Sequence, residues 1–252
     1  MLADARAVSG CLMSFRNSIA IITSPRPRVG KTLLARLLTD FHLQEGRPVA
    51  AFDLNAGEGT LAQFLPEHVT RSTIDDLKGQ MALFDRLMTE DDATKIVDLG
   101  RASFEHFFVL ANQFGFTQEA SRRGIVPVLL YLMSPDRTSV EAYRGLCSRL
   151  PEVMLAPVHN EIFGAAQYGN NKYAPIGSGT VIVRLPLLAA NVRKYVERPP
   201  FSFADSENAA AFDVDANIEL QHWLRRIYRE FRELDLRISL TAHRQTPIRQ
   251  GG

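Results

Sequence analysis

The chain has 252 residues, enough for one large α/β domain or two small ones around a substantial core. Its hydrophobic share of 46% and charged share of 23% are ordinary for a soluble globular protein, and a net charge of +1 excludes a global attraction to nucleic acid or acidic lipid. Cys11 and Cys147 stand in no paired or metal-like spacing, which fits a reducing cytoplasm, and no apolar run reaches the ~20 residues of a membrane-spanning helix.

Residues 1–17 read as an N-terminal extension. Met1 to Gly10 mixes acid and base and lacks the long apolar stretch of a secretion signal, and Met13 offers a second possible start. Strand-like apolar runs follow at Ile19–Thr23, Val49–Leu54, Lys95–Leu99, Val126–Met133, Val153–Val158 and Val181–Leu185. Most are nearly continuous in apolar residues, as strands of a parallel sheet covered on both faces are. Between the first two, Leu33, Leu34, Leu37, Leu38 and Phe41 repeat at helical spacing from Lys31 to Gln44, and Gly46-Arg47-Pro48 ends the helix. Strand, helix and strand at this spacing form a βαβ unit with a right-handed crossover. The predicted fold is therefore α/β: a doubly wound, mainly parallel sheet with helices on both faces and ligands at the carboxyl ends of the strands.

Two stretches interrupt the pattern. Ile162 to Gly179, rich in Gly, Asn and Tyr, predicts a long surface loop, and Phe203 to Asp215 a linker. A last helix is predicted over about Ile218 to Leu236, with Leu220, Trp223, Leu224, Ile227, Phe231 and Leu234 on one face and arginines elsewhere. The predicted organisation is one domain over 18–238 and a flexible polar tail over 239–252.

The first strand-to-helix turn carries the chemistry. Gly30-Lys31-Thr32 is the second half of a phosphate-binding P-loop, and its place between strand and helix is the context that such a motif requires. Backbone amides there point at phosphate from a helix N-terminus, the Lys31 ammonium reaches the β- and γ-phosphates, and the Thr32 hydroxyl ligates Mg2+. The first half departs from the motif: Pro25 replaces its glycine, Pro27 removes one amide donor, and Arg26 and Arg28 add charge.

Read this way, the chain resembles the deviant-Walker-A ATPases of the ParA/MinD family, whose loop runs Lys-Gly-Gly-x-Gly-Lys-Ser/Thr. The resemblance puts Arg26 at the signature lysine that reaches the partner's phosphates across an ATP-sandwiched dimer. It puts Arg28, Val29, Gly30, Lys31, Thr32 and Leu33 around the nucleotide. Ala51-Phe52-Asp53-Leu54-Asn55 is similar to the family's second-strand motif, which makes Asp53 a Mg2+-side carboxylate and sets Asn55 where a hydrolysis-linked aspartate stands. Gly57-Glu58-Gly59-Thr60-Leu61 resembles a switch segment, and Lys95 to Gly100 resembles Walker B with Asp98 as the Mg2+ carboxylate. Asn160 resembles the adenine-reading asparagine, and Leu185-Pro186-Leu187 the proline-containing segment after the last strand. The likeness spans about Ser18 to Pro200.

The resemblance implies a cytoplasmic ATP-binding switch that dimerises around ATP and Mg2+. A neutral amide at Asn55 orients a water but accepts no proton, so hydrolysis is expected to be weak. Other readings of the same residues stay open. Asp53 and Asp98 also suit strand-end helix caps, Asn160 an ordinary turn residue, and Arg26 and Arg28 solvated loop charges. A nucleotide-binding scaffold without catalysis, or a synthetase or kinase of the dethiobiotin synthetase type, would use the same scaffold. Non-specific DNA or a protein is a possible partner through Arg193, Lys194, Arg198 and the arginines of the last helix.

Overall fold

The computed structural model describes residues 18–55, 57, 60–164, 181–205 and 212–245. The expected extension with Cys11, Glu58 and Gly59 of the switch segment, residues 165–179 of the predicted loop, 206–211 of the linker and 246–252 lie outside them.

Seven strands form one sheet: β1 (Ser18–Thr23), β2 (Val49–Asp53), β3 (Val69–Arg71), β4 (Thr94–Asp98), β5 (Val126–Leu132), β6 (Met154–Asn160) and β7 (Val183–Leu185). Their order is β3-β2-β4-β1-β5-β6-β7, and every neighbouring pair is parallel. Consecutive strands joined in parallel need crossovers, and the helices supply them. Those are α1 (Lys31–Gln44), α2 (Leu61–Phe64), α3 (Leu77–Leu87), α4 (Phe104–Gln113), α5 (Phe116–Arg122), α6 (Arg137–Arg149), α7 (Ala190–Val196) and the long α8 (Val214–Gln245).

β1 shows why its run is continuous in apolar residues. Ala20 and Ile22 face one core with Leu34, Leu37 and Phe41 of α1, Val192 of α7, and Trp223, Ile227 and Phe231 of α8. Ile19 and Ile21 face the other core with Phe84 of α3, Phe107 of α4, Phe116 of α5 and Tyr143 of α6. Both faces of the sheet are covered, as the strand pattern predicts. Each such buried Leu, Ile or Phe stabilises the fold by about 1.5–3 kcal/mol.

Strand ends shift by one or two residues from the sequence reading, with β6 running on to Asn160, and some elements differ more. β3 was not predicted: it has three residues, Val-Thr-Arg, all partly or fully exposed at the sheet edge, so it carries no apolar run. β7 begins at Val183 rather than Val181. The last helix is longer at both ends than predicted, and the part of the predicted flexible tail up to Gln245 is helical. Ile238 continues the buried stripe of Phe231 and Leu234, and the Ser239 and Thr241 hydroxyls donate to the carbonyls of Asp235 and Arg237 four residues back.

Candidate phosphate-binding site

β1 lies between β4 and β5, and the register sets Ile22 beside Asp98, with Asp98 in turn beside Asp53 of β2. The Leu99 amide donates to the Ile22 carbonyl at 3.0 Å, which closes the carboxyl ends of β1 and β4 together. The loop after β1 enters α1 through Gly30, whose φ of 99° is open to glycine and rarely to other residues. A Cβ there would also come within 2.9 Å of Asn160 Nδ2. The first intrahelical bond of α1 runs from the Leu34 amide to the Gly30 carbonyl at 3.0 Å. The amides of Lys31, Thr32 and Leu33 thus belong to the helix end that has no intrahelical acceptor, a natural anion site.

Lys31 is 8% exposed and donates Nζ to the Arg26 carbonyl at 2.7 Å, so the ammonium folds back across the mouth of its own loop. Burial pulls its pKa below the usual lysine value; Asp98 opposes that pull and Arg101 adds to it. Thr32 Oγ1 donates to Asp98 Oδ2 at 2.7 Å. Asp98 is fully buried, and burial pushes its carboxyl up to about 6, helped by Asp53 and opposed by the Thr32 bond and Lys31. Its second oxygen, Oδ1, is buried without a hydrogen-bond partner among the described residues. An orphaned carboxylate oxygen beneath a threonine hydroxyl suits a hard cation or its water. No cluster of three or more His, Cys, Asp or Glu occurs among the described residues, but Mg2+ at a phosphate site takes most of its oxygens from water and phosphate.

Asp53 is placed differently from a free metal carboxylate. Its Oδ1 accepts the Asn55 amide at 2.9 Å and Asn55 Nδ2 at 3.0 Å, and its Oδ2 accepts the Ala62 amide at 2.8 Å in the first turn of α2. The capping alternative describes this geometry: Asp53 organises the chain from β2 to α2. Asn55 Nδ2 donates a second bond to the Asp98 carbonyl at 3.1 Å. Its amide therefore staples the ends of β2 and β4, and Gly100 is tight against it, with a Cβ there meeting Asn55 Oδ1 at 2.8 Å.

Arg26 is engaged within its own chain. Nε and a terminal nitrogen donate to Asp136 Oδ1 at 2.8 Å and 2.5 Å, and Asp136 caps α6 by accepting the Ser139 amide at 3.1 Å. Burial pushes the Asp136 carboxyl up, but bonds from Arg26, Ser134 and Ser139 outweigh it and hold the pKa down at about 2. Arg28 is exposed and takes φ 55°, the left-handed conformation its motif normally gives to glycine. Asn160 is 8% exposed; its Nδ2 donates to the Val29 carbonyl at 3.0 Å and its Oδ1 accepts the Ile162 amide at 3.1 Å, so it props the loop from β6.

A cavity of about 480 Å³ is lined by Pro27, Arg28, Gly30, Lys31, Thr32 and Leu33 together with Leu54, Asn55, Gly100, Arg101 and Ala102, while Arg26, Asp53, Asp98 and Asn160 stand outside its lining. Val29, in contrast, is buried under the loop. Sequence reasoning missed two participants, Arg101 and Asp136. Arg101 lies three residues past Asp98, at the carboxyl end of a strand beside β1, and that position was the signal available. Another cavity, of about 580 Å³, is lined by Phe64, His68, Phe201 and Asp205 among others and shares no lining residue with the phosphate loop.

No family model matches the chain, and no curated protein matches it. Among solved structures it is similar to the MinD cell division protein of Aquifex aeolicus, at 15% identity over 83% of this chain and 95% of that one, with a TM-score of 0.49. It is similar also to a nucleotide-binding protein from Archaeoglobus fulgidus in complex with ADP, at 12% identity over 86% and 91%, with a TM-score of 0.47. A third is FtsY from Mycoplasma mycoides, at 12% identity over 82% and 68%, with a TM-score of 0.45. Likenesses this distant bear on fold alone, and the fold rests on the chain's own topology. A glycine-entered loop joins the central strand of a parallel seven-stranded sheet to its first helix, with an acidic strand end alongside, and this is the α/β architecture of P-loop NTPases.

Proposed function

We propose that the chain binds ATP with Mg2+ at the Gly30–Thr32 turn and acts as a cytoplasmic nucleotide switch of the ParA/MinD type, with weak hydrolysis. The observation that carries this reading is the bond from Thr32 Oγ1 to Asp98 Oδ2 under the N-terminus of α1, with Asp98 Oδ1 left unpartnered beside it. Thr32 and Asp98 would hold Mg2+, which when bound supplies charge neutralisation for the phosphates. The first-turn amides of α1 and Lys31 would hold the phosphates. Asn160 would serve the adenine contact from a position where its amide already braces the loop.

Weak hydrolysis follows from the proton-accepting groups. Asn55 is a neutral amide, both Asp53 oxygens accept backbone or amide donors, and Asp98 is fully buried. None is a carboxylate facing open solvent with a free oxygen, so a water has no evident base among the described residues. Binding without any turnover, a scaffold role, is a second reading. It is favoured by Pro27, which lacks a donor, and by the Lys31 ammonium resting on its own loop. Titration calorimetry with ATP and ADP, with and without Mg2+, together with turnover measurements, separates the cases. Binding with slow turnover supports the switch, binding with none the scaffold, and no binding defeats both.

Dimerisation around ATP would require Arg26 to leave Asp136. A role in partitioning, positioning or conjugal transfer belongs to the same proposal. A DNA contact through the basic patch is less well supported, since Arg226 pairs with Glu161, Arg232 with Glu45 and Lys194 with Asp213. Salt-dependent retention on non-specific DNA, with and without ATP, tests it. No helix among the described residues is long and apolar enough to cross a membrane.

A further inference from the structure

We infer that Arg101 and Arg28, which line the same cavity, form a guanidinium pair in cis that grips the terminal phosphate of the bound nucleotide. The inference rests on the nucleotide reading above and adds to it the groups that tell a triphosphate from a diphosphate.

Three observations carry it. The first is charge: the described lining of the phosphate cavity holds three cations, Arg28, Lys31 and Arg101, and no carboxylate. Like charges gathered in one cavity repel each other, and the arrangement is relieved by a multivalent anion between them.

The second is anchoring. Gly100 packs where a Cβ would lie 2.9 Å from the Leu54 carbonyl and 2.8 Å from Asn55 Oδ1, so the chain turns at one place after β4. The Arg101 carbonyl accepts the Phe104 amide at 3.3 Å at the entry to α4. The backbone of Arg101 is thus held on both sides, while its exposed side chain has no acidic partner among the described residues. Arg28 is similar: exposed, without an ion pair among the described residues, and kept at φ 55°, a conformation that costs a non-glycine residue about 1 kcal/mol or more.

The third is the engagement of Arg26. With its guanidinium on Asp136, the residue the motif offers for phosphate charge is occupied elsewhere. Arg28 and Arg101 are the guanidinium groups that line the cavity and remain available, and such groups match phosphate oxygens bidentately.

The test is titration calorimetry of the full chain and of Arg101→Ala, Arg101→Lys and Arg28→Gly with ATP·Mg2+, ADP·Mg2+ and inorganic tripolyphosphate. Losing one charge-assisted contact to the last phosphate should weaken ATP about tenfold in Arg101→Ala while ADP changes less than about threefold. Arg101→Lys should recover part of the loss. Arg28→Gly should show the same ATP-selective loss with a raised melting temperature, because glycine relieves the strain. Equal losses for ATP and ADP, or none, overturn the inference while leaving nucleotide binding intact. Wild type that binds tripolyphosphate through Arg101 but no nucleotide overturns the nucleotide reading, and with it the terminal-phosphate role, and leaves the pair a polyphosphate site. Wild type that binds none of the three overturns both. Melting temperatures without ligand identify a variant that has failed to fold, and Arg28→Gly then carries the comparison.

Discussion

Arg26 lays two guanidinium nitrogens on Asp136 Oδ1, and that same oxygen accepts the Ser139 amide that opens α6. The pair joins the phosphate loop to a helix 110 residues later in sequence. Both side chains are partly exposed, at 40% and 31%, so water screens the pair and it can exchange for a phosphate. It sets a direct competition between a contact inside the chain and a contact across a dimer.

Asp136→Asn isolates that competition. Asparagine caps helices about as well as aspartate, so α6 should keep its start and stability should fall by no more than about 1 kcal/mol. A released Arg26 should raise the dimer fraction seen by sedimentation velocity with ATP·Mg2+, and leave the apo protein unchanged. A dimer fraction equal to wild type would remove Arg26 from any crossing role.

Asn55→Asp is expected to damage the site rather than improve hydrolysis. The Asn55 amide nitrogen donates to Asp53 Oδ1 at 3.0 Å and to the Asp98 carbonyl at 3.1 Å, and a carboxylate can donate neither bond. It would also face the Asp53 carboxylate directly. A stability loss of about 1–3 kcal/mol is expected in chemical denaturation, with turnover no higher than wild type. A clear gain in ATP turnover would show that the amide itself is what limits hydrolysis.

Asp98→Asn should separate stability from ligand binding. The carboxylate is buried beside Asp53, with one oxygen unpartnered, so the neutral amide of the same shape removes an unfavourable charge. Its carbonyl oxygen can still accept from Thr32. The melting temperature should hold or rise, while the Mg2+-dependent part of ATP affinity should drop at least about tenfold. Loss of stability together with unchanged Mg2+ dependence would make Asp98 a structural group.

The strands were legible because burial on both faces writes a continuous apolar run, as in Ile19 to Ile22 and Val126 to Leu132. β3 was not, because an edge strand of three partly exposed residues needs no apolar pattern. The phosphate loop was legible from Gly30-Lys31-Thr32, whose chemistry is local to one turn. The contacts of its arginines were not, since Asp136 and Arg101 meet the loop only through the strand order β4-β1-β5. Asp53 shows the same limit. Its place at a strand end suits a metal or a cap equally, and its bond from the Ala62 amide nine residues on could not be read from the sequence.

His42 supplies the pH dependence of stability. It is 2% exposed on α1, and its Nδ1 has no partner among the described residues. Burial, then the nearby Arg47, pulls its pKa from 6.5 to about 3. Below pH 6.5 the unfolded chain takes up a proton that the folded chain refuses, so stability is lost as pH falls from 6.5 toward 3. Asp40 and Asp235 work in the opposite sense. Burial raises both to about 6, against bonds from Phe203 and Ser202 for Asp40 and from Arg47 for Asp235. Their contribution is fully present below the unfolded value of 3.8 and is lost as pH rises through 6. Two such carboxyls against one histidine leave wild-type stability falling as pH rises from 4.5 to 6, and Asp98, also raised to about 6, steepens the fall. His42→Leu, which keeps an apolar neighbour for Phe41, removes one slope. The variant should gain about 2 kcal/mol over wild type on going from pH 7 to pH 4.5, read from urea midpoints at the two pH values. Parallel pH profiles for the two proteins would mean that His42 is hydrated or paired in the folded state and titrates normally.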